Sequence, residues 1–262
     1  MPTVRLTRGL RDEYDFLFDN CLIRANTLSQ VEKIISAVVG NQGRYEAVSH
    51  TAGGGIPWYF IAVIHTMESS LNFNTHLHNG DPLTARTVHV PAGRPKVGAP
   101  PFAWEESAAD ALTLKKLDRW SDWSVAGLLY KLEEYNGWGY RSSHPEVLSP
   151  YLWSFSNHYT SGKYKADGVW SDSLVSKQCG AAVILRRMLE NGLITFPEHT
   201  VQEPMVWYTG NRRHEYGEEL QTFLNQFPGV YLNVDGKPGR KTSDAFKNVT
   251  GHYLARDPQA DT

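Results

Sequence analysis

The stretch Ile56-Pro57-Trp58-Tyr59-Phe60-Ile61-Ala62-Val63-Ile64-His65-Thr66-Met67-Glu68-Ser69-Ser70 decides how this chain folds. It follows a flexible Gly53-Gly54-Gly55. Pro57 stands where a helix tolerates proline, in the first turn. The run from Trp58 to Ile64 is apolar without interruption, which reads as a helix buried on all sides. Glu68 closes that helix. Ionising a carboxyl group at the end of a buried helix costs free energy, so burial raises its pKa. A group that must hand a proton to a glycosidic oxygen needs that property.

Upstream, residues 11–23 read as a first helix. Thr27 with Gln30 forms a capping-box signature, opening a second helix through Val31, Ile34, Ile35 and Val38. Gly40 and Gly43 weaken its end. Downstream, residues 71–103 are rich in turn formers, among them Asn79-Gly80-Asp81-Pro82, Pro91, Gly93 and Pro95. Within them Thr84 to Val90 alternates as a short strand does, predicting a small β-hairpin and long loops that wall a cleft. Helical patterns return over 105–118 and 123–134, the latter stopping at Asn136-Gly137. An aromatic loop region over 137–170 leads to a long helix over 172–190, ended by Asn191-Gly192. The predicted fold is therefore mainly α (α+β): a helical domain over 1–195 with a small β-hairpin, a linker over 196–205, and a small helical unit over 206–262. No internal repeat or low-complexity tract interrupts this plan.

A chain of 262 residues can hold one large core, or one core and a small module. The 41% hydrophobic and 21% charged residues are those of an ordinary globular protein. A net charge of −2 argues against wholesale capture by nucleic acid or acidic membranes. Tryptophan is unusually frequent, at 8, beside 13 Tyr; such rings serve cores and also stack well on sugars. Cys21 and Cys179 sit in apolar contexts and read as buried free thiols. The first nineteen residues carry charges throughout, unlike a signal peptide. The apolar run over 56–64 is too short to span a bilayer. The expectation is a protein made in the cytoplasm, reaching any external substrate only after release by another agent.

Glu68-Ser69-Ser70-Leu71-Asn72 resembles the Glu-Ser-x-x-Asn signature of the lysozyme-like superfamily, in its goose-type lysozyme and lytic transglycosylase branch. About 65 residues on, Glu134-Tyr135-Asn136-Gly137 resembles the Tyr-Asn-x-Gly segment of those enzymes. The likeness covers roughly residues 50–190. It implies a glycan-cleaving enzyme, endolysin-like, with Glu68 as acid and with Tyr135 and Asn136 lining the cleft opposite. The transglycosylases carry a Gly-Leu-Met-Gln segment after the glutamate; here Asn79 to Thr87 stands instead. That departure supplies Asp81, a candidate second carboxylate, and the Asp81-to-Thr87 spacing echoes phage-type lysozymes, in which such a pair positions a water. A polar turn should keep Asp81 ionised and solvated. Glu105 and Glu106 are alternatives for the second carboxylate, although paired acids before a helix also suit its dipole. A separation of roughly 6.5–9.5 Å would favour inversion, a closer one retention.

Other residues have two readings each. Tyr135 and Asn136 either touch saccharide or cap a helix. His65, one turn before Glu68, either tunes that carboxyl group on the substrate side or packs in the core. Trp138 and Tyr151 are the first choices among the loop aromatics for a saccharide groove. His65, His76, His78, Asp81 and His89 fall within 25 residues, and in a rival reading His76 and His78 with Asp81 bind zinc, for a cell-wall peptidase or amidase. The lysozyme-like reading requires no metal or other cofactor.

At the C-terminal end, Leu220-Gln221-x-x-Leu224-Asn225, then Val234-Asp235-Gly236-x-x-Gly239, then Lys241-Thr242-x-x-Ala245 resemble the small helical peptidoglycan-binding module found beside many wall hydrolases. Leu220, Phe223 and Leu224 should form one apolar face. Seven Lys/Arg and seven Asp/Glu over 206–262 leave the unit neutral, so charge alone would not hold it to a polymer. The expected partner is bacterial peptidoglycan, the expected state a monomer, and the non-enzymatic alternative a wall-binding protein with an inactive lysozyme-like domain.

Overall fold

A computed structural model describes residues 4–166, 168–196 and 205–260. The chain divides into two compact units, Met1–His199 and Thr200–Thr262. Most of the expected linker, residues 197–204, lies outside the described residues.

The first unit is built from helices α1 (Arg8–Asp19), α2 (Leu28–Gly40), α3 (Gln42–Ala52), α4 (Trp58–Ser69), α5 (Trp104–Leu114), α6 (Val125–Asn136), α7 (Gly139–Ser143), α8 (Pro150–Trp153) and α9 (Ala181–Glu190). Its one described sheet is a pair of antiparallel strands, β1 (Lys163–Ala166) and β2 (Val169–Ser171), with Tyr164 opposite Trp170. The molecule is thus mainly helical with a small hairpin, as its periodicities predict. None of the described helices is long and apolar enough to cross a membrane.

Helix α4 is the axis of this unit. Every residue from Tyr59 to Met67 is buried, and α3 and α9 pack against it. Side chains such as Phe60, Ile61 and Ile64 are worth about 1.5–3 kcal/mol each by burial, so the helix is held by packing rather than by propensity. Pro57 is the N-cap rather than a residue of the first turn. Helix α3, absent from the sequence reading, begins where Gly40 and Gly43 suggested only weakening; Tyr45 and Val48 turn its buried face inward.

The hairpin lies elsewhere than predicted. Residues 84–90 form no strand, because their polar backbone groups are satisfied locally. The N–H groups of Val88 and His89 donate to the Asp81 carboxylate, and Thr87 exchanges backbone bonds with Arg94 and Gly93. Only a single bridge, Thr75 to Pro82, has strand geometry in that region. The helix predicted over 172–190 starts only at Ala181. A Cβ at Gly180 would stand 2.3 Å from the Leu152 carbonyl, so close backbone contact fixes that residue outside the helix. The capping box of α2 is not made: the Thr27 hydroxyl donates to the Arg24 carbonyl instead. Cys21 and Cys179 are buried free thiols, each pushed up to about 12 by burial.

The second unit holds α10 (Gly217–Leu224) and α11 (Arg240–Thr250) around a small core of Leu224, Val230 and Ala245. Gln221 is its hub. The side-chain carbonyl accepts from the N–H groups of Asp235 and Gly236 (2.9 and 2.8 Å), and its amide donates to the carboxylate of Asp235 at 2.9 Å. Asn225 similarly clamps both backbone groups of Leu232. A Cβ at Gly239 would come within 2.5 Å of the Gly210 carbonyl. Phe223 departs from its expected place on the apolar face: it is 50% exposed, while Leu224 is fully buried.

Candidate active site

Glu68 lies in the last turn of α4, half-buried, next to the buried Met67. The chain then takes two consecutive left-handed residues, Ser70 (φ 51°) and Leu71 (φ 61°), neither of them glycine. That conformation costs about 1–2 kcal/mol per residue. Backbone N–H groups of Ser70 and Leu71 both return to the His65 carbonyl, so the helix end is closed tightly behind Glu68. The side-chain amide of Gln178 donates to the Met67 carbonyl at 2.7 Å and fixes the same turn from outside the helix.

Burial pushes the Glu68 carboxyl above the ordinary carboxylate range. Its place at the negative end of a helix dipole acts in the same direction. Two groups oppose this. The Tyr151 hydroxyl donates to Oε1 at 2.8 Å, and the Lys115 ammonium attracts the anion; burial outweighs both. Tyr135 completes the group: burial, then the nearby Glu68 charge, pushes its phenol up, and its hydroxyl donates to the Leu77 carbonyl at 3.3 Å. Lys115 stands over the Tyr135 ring, 4.6 Å from its centroid. Glu68, Tyr135 and Tyr151, drawn from three separate stretches of sequence, therefore meet.

Asp81 has the opposite environment. One oxygen accepts from His89 Nδ1 at 2.6 Å; the other accepts from Asn79 Nδ2, Val88 N and His89 N at 3.1, 2.8 and 3.0 Å. The His89 ring hydrogen bond outweighs burial, and the backbone donors add to it, so Asp81 is held well below the usual carboxylate range. It is ionised as expected, but not solvated: it is only 7% exposed, covered by the loop it organises. Thr87 is buried as well. Its hydroxyl donates to the Pro91 carbonyl at 2.6 Å and accepts from Arg94 N at 2.9 Å, which leaves it no proton for a water. The two are loop fasteners, and neither is among the groups that act on Glu68.

His65 belongs to the core. It is fully buried between Phe73 and Trp104, with ring centroids 4.5 Å away in each case, and its Nδ1 meets the Tyr45 hydroxyl at 3.1 Å. Burial pushes it down to about 4, so it is neutral at pH 7 and out of reach of any saccharide. Asn136 is exposed at the end of α6, and Trp138 packs on Tyr130 with centroids 5.2 Å apart. Both line a cleft of about 630 Å³ with Tyr140 of α7 and Tyr164 of β1. Glu105 is tied to Arg44 at 2.6 Å, and Glu106 is exposed.

Several donors of the zinc reading are engaged elsewhere, although His78 Nδ1 is buried without a hydrogen-bond partner. His76 uses both ring nitrogens, on the Ser107 hydroxyl and the Ala85 carbonyl; His78 binds Asp110, which also holds Arg94 through both oxygens. Among the described residues no three potential ligands converge. A second carboxyl raised by burial, Glu133, differs from Glu68 in carrying a full ion pair: Arg141 Nε donates to it at 2.9 Å, and Tyr14 donates to the same oxygen. It joins α1, α6 and α7. Sequence reasoning missed Lys115 and Gln178, which meet the end of α4 only through tertiary packing and carry no local motif. A scan against models of known protein families, a search of curated proteins and a search of solved structures each return no match for this chain.

Proposed function

We propose that this protein cleaves the glycan strands of bacterial peptidoglycan by general acid catalysis from Glu68, and that its C-terminal unit binds the wall. One observation carries the reading: a carboxyl group at the end of a buried helix, its pKa raised by burial, with a phenol donating to it at 2.8 Å. In the proposed step Glu68 gives its proton to the oxygen between two sugars. The bond from the sugar carbon to that oxygen breaks, the electron pair stays on the oxygen, and positive charge develops on the sugar. Glu68 becomes a carboxylate at that moment. Tyr151 and Lys115 then favour the new anion, so the groups that oppose burial in the resting state assist the transfer.

The reaction closes when water or a hydroxyl of the same sugar ring attacks the carbon and returns a proton to Glu68. Asp81 is a loop organiser in this scheme rather than a second reacting carboxylate. The C-terminal unit acts as a monomeric tether, raising the local concentration of the enzyme on its polymer once both are on the same side of the membrane.

Incubation of the full chain with purified peptidoglycan, followed by mass spectrometry, tests the proposal. Fragments ending in reducing or anhydro amino sugars are expected, at a rate unchanged by a metal chelator. Cut peptides on intact glycan, or no cleavage with binding retained, would overturn the glycosidase reading.

A further inference from the structure

Lys115 caps the C-terminal end of α5, and Lys116 after it is left-handed (φ 58°), so the chain turns back. The side chain of Lys115 is exposed, yet its ammonium lies over the Tyr135 ring and close enough to Glu68 to act on its charge. Lys131 offers a contrast within the same unit. It too lies over aromatic rings, 4.3 Å from the centroid of Trp120, but it is paired with Glu134 at 2.6 Å. Lys115 makes no ion pair among the described residues. The carboxyl group it acts on, Glu68, has its pKa raised by burial. A cation with no ion pair among the described residues therefore stands near the end of α4, open to solvent and backed by a ring face.

We infer that Lys115 binds a carboxylate carried by the substrate beside the bond that Glu68 protonates, so that the site selects an acid-bearing glycan over a neutral one. This rests on the glycan-cleaving reading. Peptidoglycan fits the charge: alternate sugars carry a lactyl ether whose acid is either free or extended by a peptide with carboxylates of its own. Chitin, with the same backbone linkage and no acid, leaves Lys115 without a partner. A cation over an aromatic face keeps its charge while losing part of its water, which favours a direct pair with an incoming anion.

A cycle between substrate charge and residue charge tests the inference. Soluble peptidoglycan fragments are compared with the same fragments after their carboxylates have been converted to neutral amides. Wild type, Lys115→Gln and Lys115→Arg are assayed on both. For wild type, neutralising the substrate is expected to lower kcat/KM about fivefold, mainly through KM, as for a partly exposed ion pair. For Lys115→Gln the two substrates should give a ratio of about one, and Lys115→Arg should restore most of the discrimination. Equal ratios in wild type and Lys115→Gln, including no detectable cleavage of the neutral substrate by either, would overturn the inference. If Lys115→Gln slows both substrates alike while moving the alkaline limb of activity upward, Lys115 acts on Glu68 alone. Failure of wild type to cleave native fragments is a separate result: it removes the glycan-cleaving reading, and this inference with it.

Discussion

Two carboxyl groups thirteen positions apart show how environment divides the labour of one chemical group. At the end of α4, Glu68 follows a wholly buried run and has one phenol donor, and burial raises its pKa. In the loop that follows, Asp81 is covered more completely, but by donors: one ring nitrogen, one side-chain amide and two backbone N–H groups. Both are at least partly withdrawn from bulk water. What separates them is the count of hydrogen bonds offered to the anion, which decides whether burial raises or lowers a pKa. The first arrangement suits proton donation, and the second suits holding a loop.

The largest expected effect is at the first of these. Glu68→Gln preserves shape and removes the acid, so turnover on peptidoglycan should fall by about 10²–10⁴-fold. Stability should move the other way. A carboxyl whose folded pKa is raised contributes most when protonated, and that contribution is lost as pH rises from the ordinary carboxyl range through the raised folded pKa. Glutamine has no charge to bury. The variant should therefore melt higher than wild type at neutral pH, with the difference vanishing in acid. Equal melting temperatures at pH 7 would mean that Glu68 ionises without penalty, and the comparison would collapse.

His65 sharpens the contrast because burial acts on it with the opposite sign. Its folded pKa of about 4 lies below the ordinary value of 6.5. The unfolded chain therefore binds the proton more readily, and stability is lost as pH falls from 6.5 toward 4. The loss should be about 3 kcal/mol. Denaturant titrations across that window, wild type against His65→Gln, isolate the effect; a pH-independent difference between the two would show that the ring is not buried neutral.

These groups differ in how far the sequence exposes them. The α4 stretch is legible because an uninterrupted apolar run has one economical fate, and Glu68 ends it. The Gln221 and Asn225 pattern is legible for a related reason: each side chain clamps backbone within about fifteen residues of itself. Alternation over 84–90 misled because the Asp81 carboxylate, seven and eight positions upstream of Val88 and His89, competed for the same N–H groups that a strand would use. Periodicity records which side chains are apolar, not where the backbone finds partners. Helix α3 was hidden by Gly43 and by Gly40 just before it, whose cost tertiary packing of Tyr45 and Val48 overrides. Tyr151 could be named as an aromatic in the right region, but its bond to Glu68 spans 83 positions and has no local signature.

Asp81→Asn tests the second half of the comparison. The amide keeps the outline but lacks the charge that four hydrogen bonds converge on, and it must present a donor to groups that are donors themselves. The loss should be about 2 kcal/mol at pH 7 by denaturant unfolding. Because the Asp81 pKa is depressed, its contribution is present above the ordinary carboxyl range and disappears as pH falls through the folded pKa, so variant and wild type should converge in acid. Activity per folded molecule should stay within about tenfold of wild type, since no reacting group is lost. A drop of several orders of magnitude with unchanged stability would return Asp81 to the chemistry.

Tyr151→Phe is the mildest change and the most direct measure of what opposes burial at Glu68. The phenol donates to the carboxyl oxygen in the resting site, and the bond strengthens when the proton leaves and the acceptor becomes an anion. Removing it raises the pKa of Glu68 further. Because the protonated form is the active one, the alkaline limb of the pH–rate profile should move to higher pH. At the same time kcat should fall about tenfold, the worth of one hydrogen bond to a charged group realised as the carboxylate forms. The two effects have opposite signs above neutrality, so the variant should lose least, relative to wild type, in alkali. A limb that moves downward would mean that the hydroxyl holds the neutral acid rather than its anion, and the phenol would then belong with burial instead of against it.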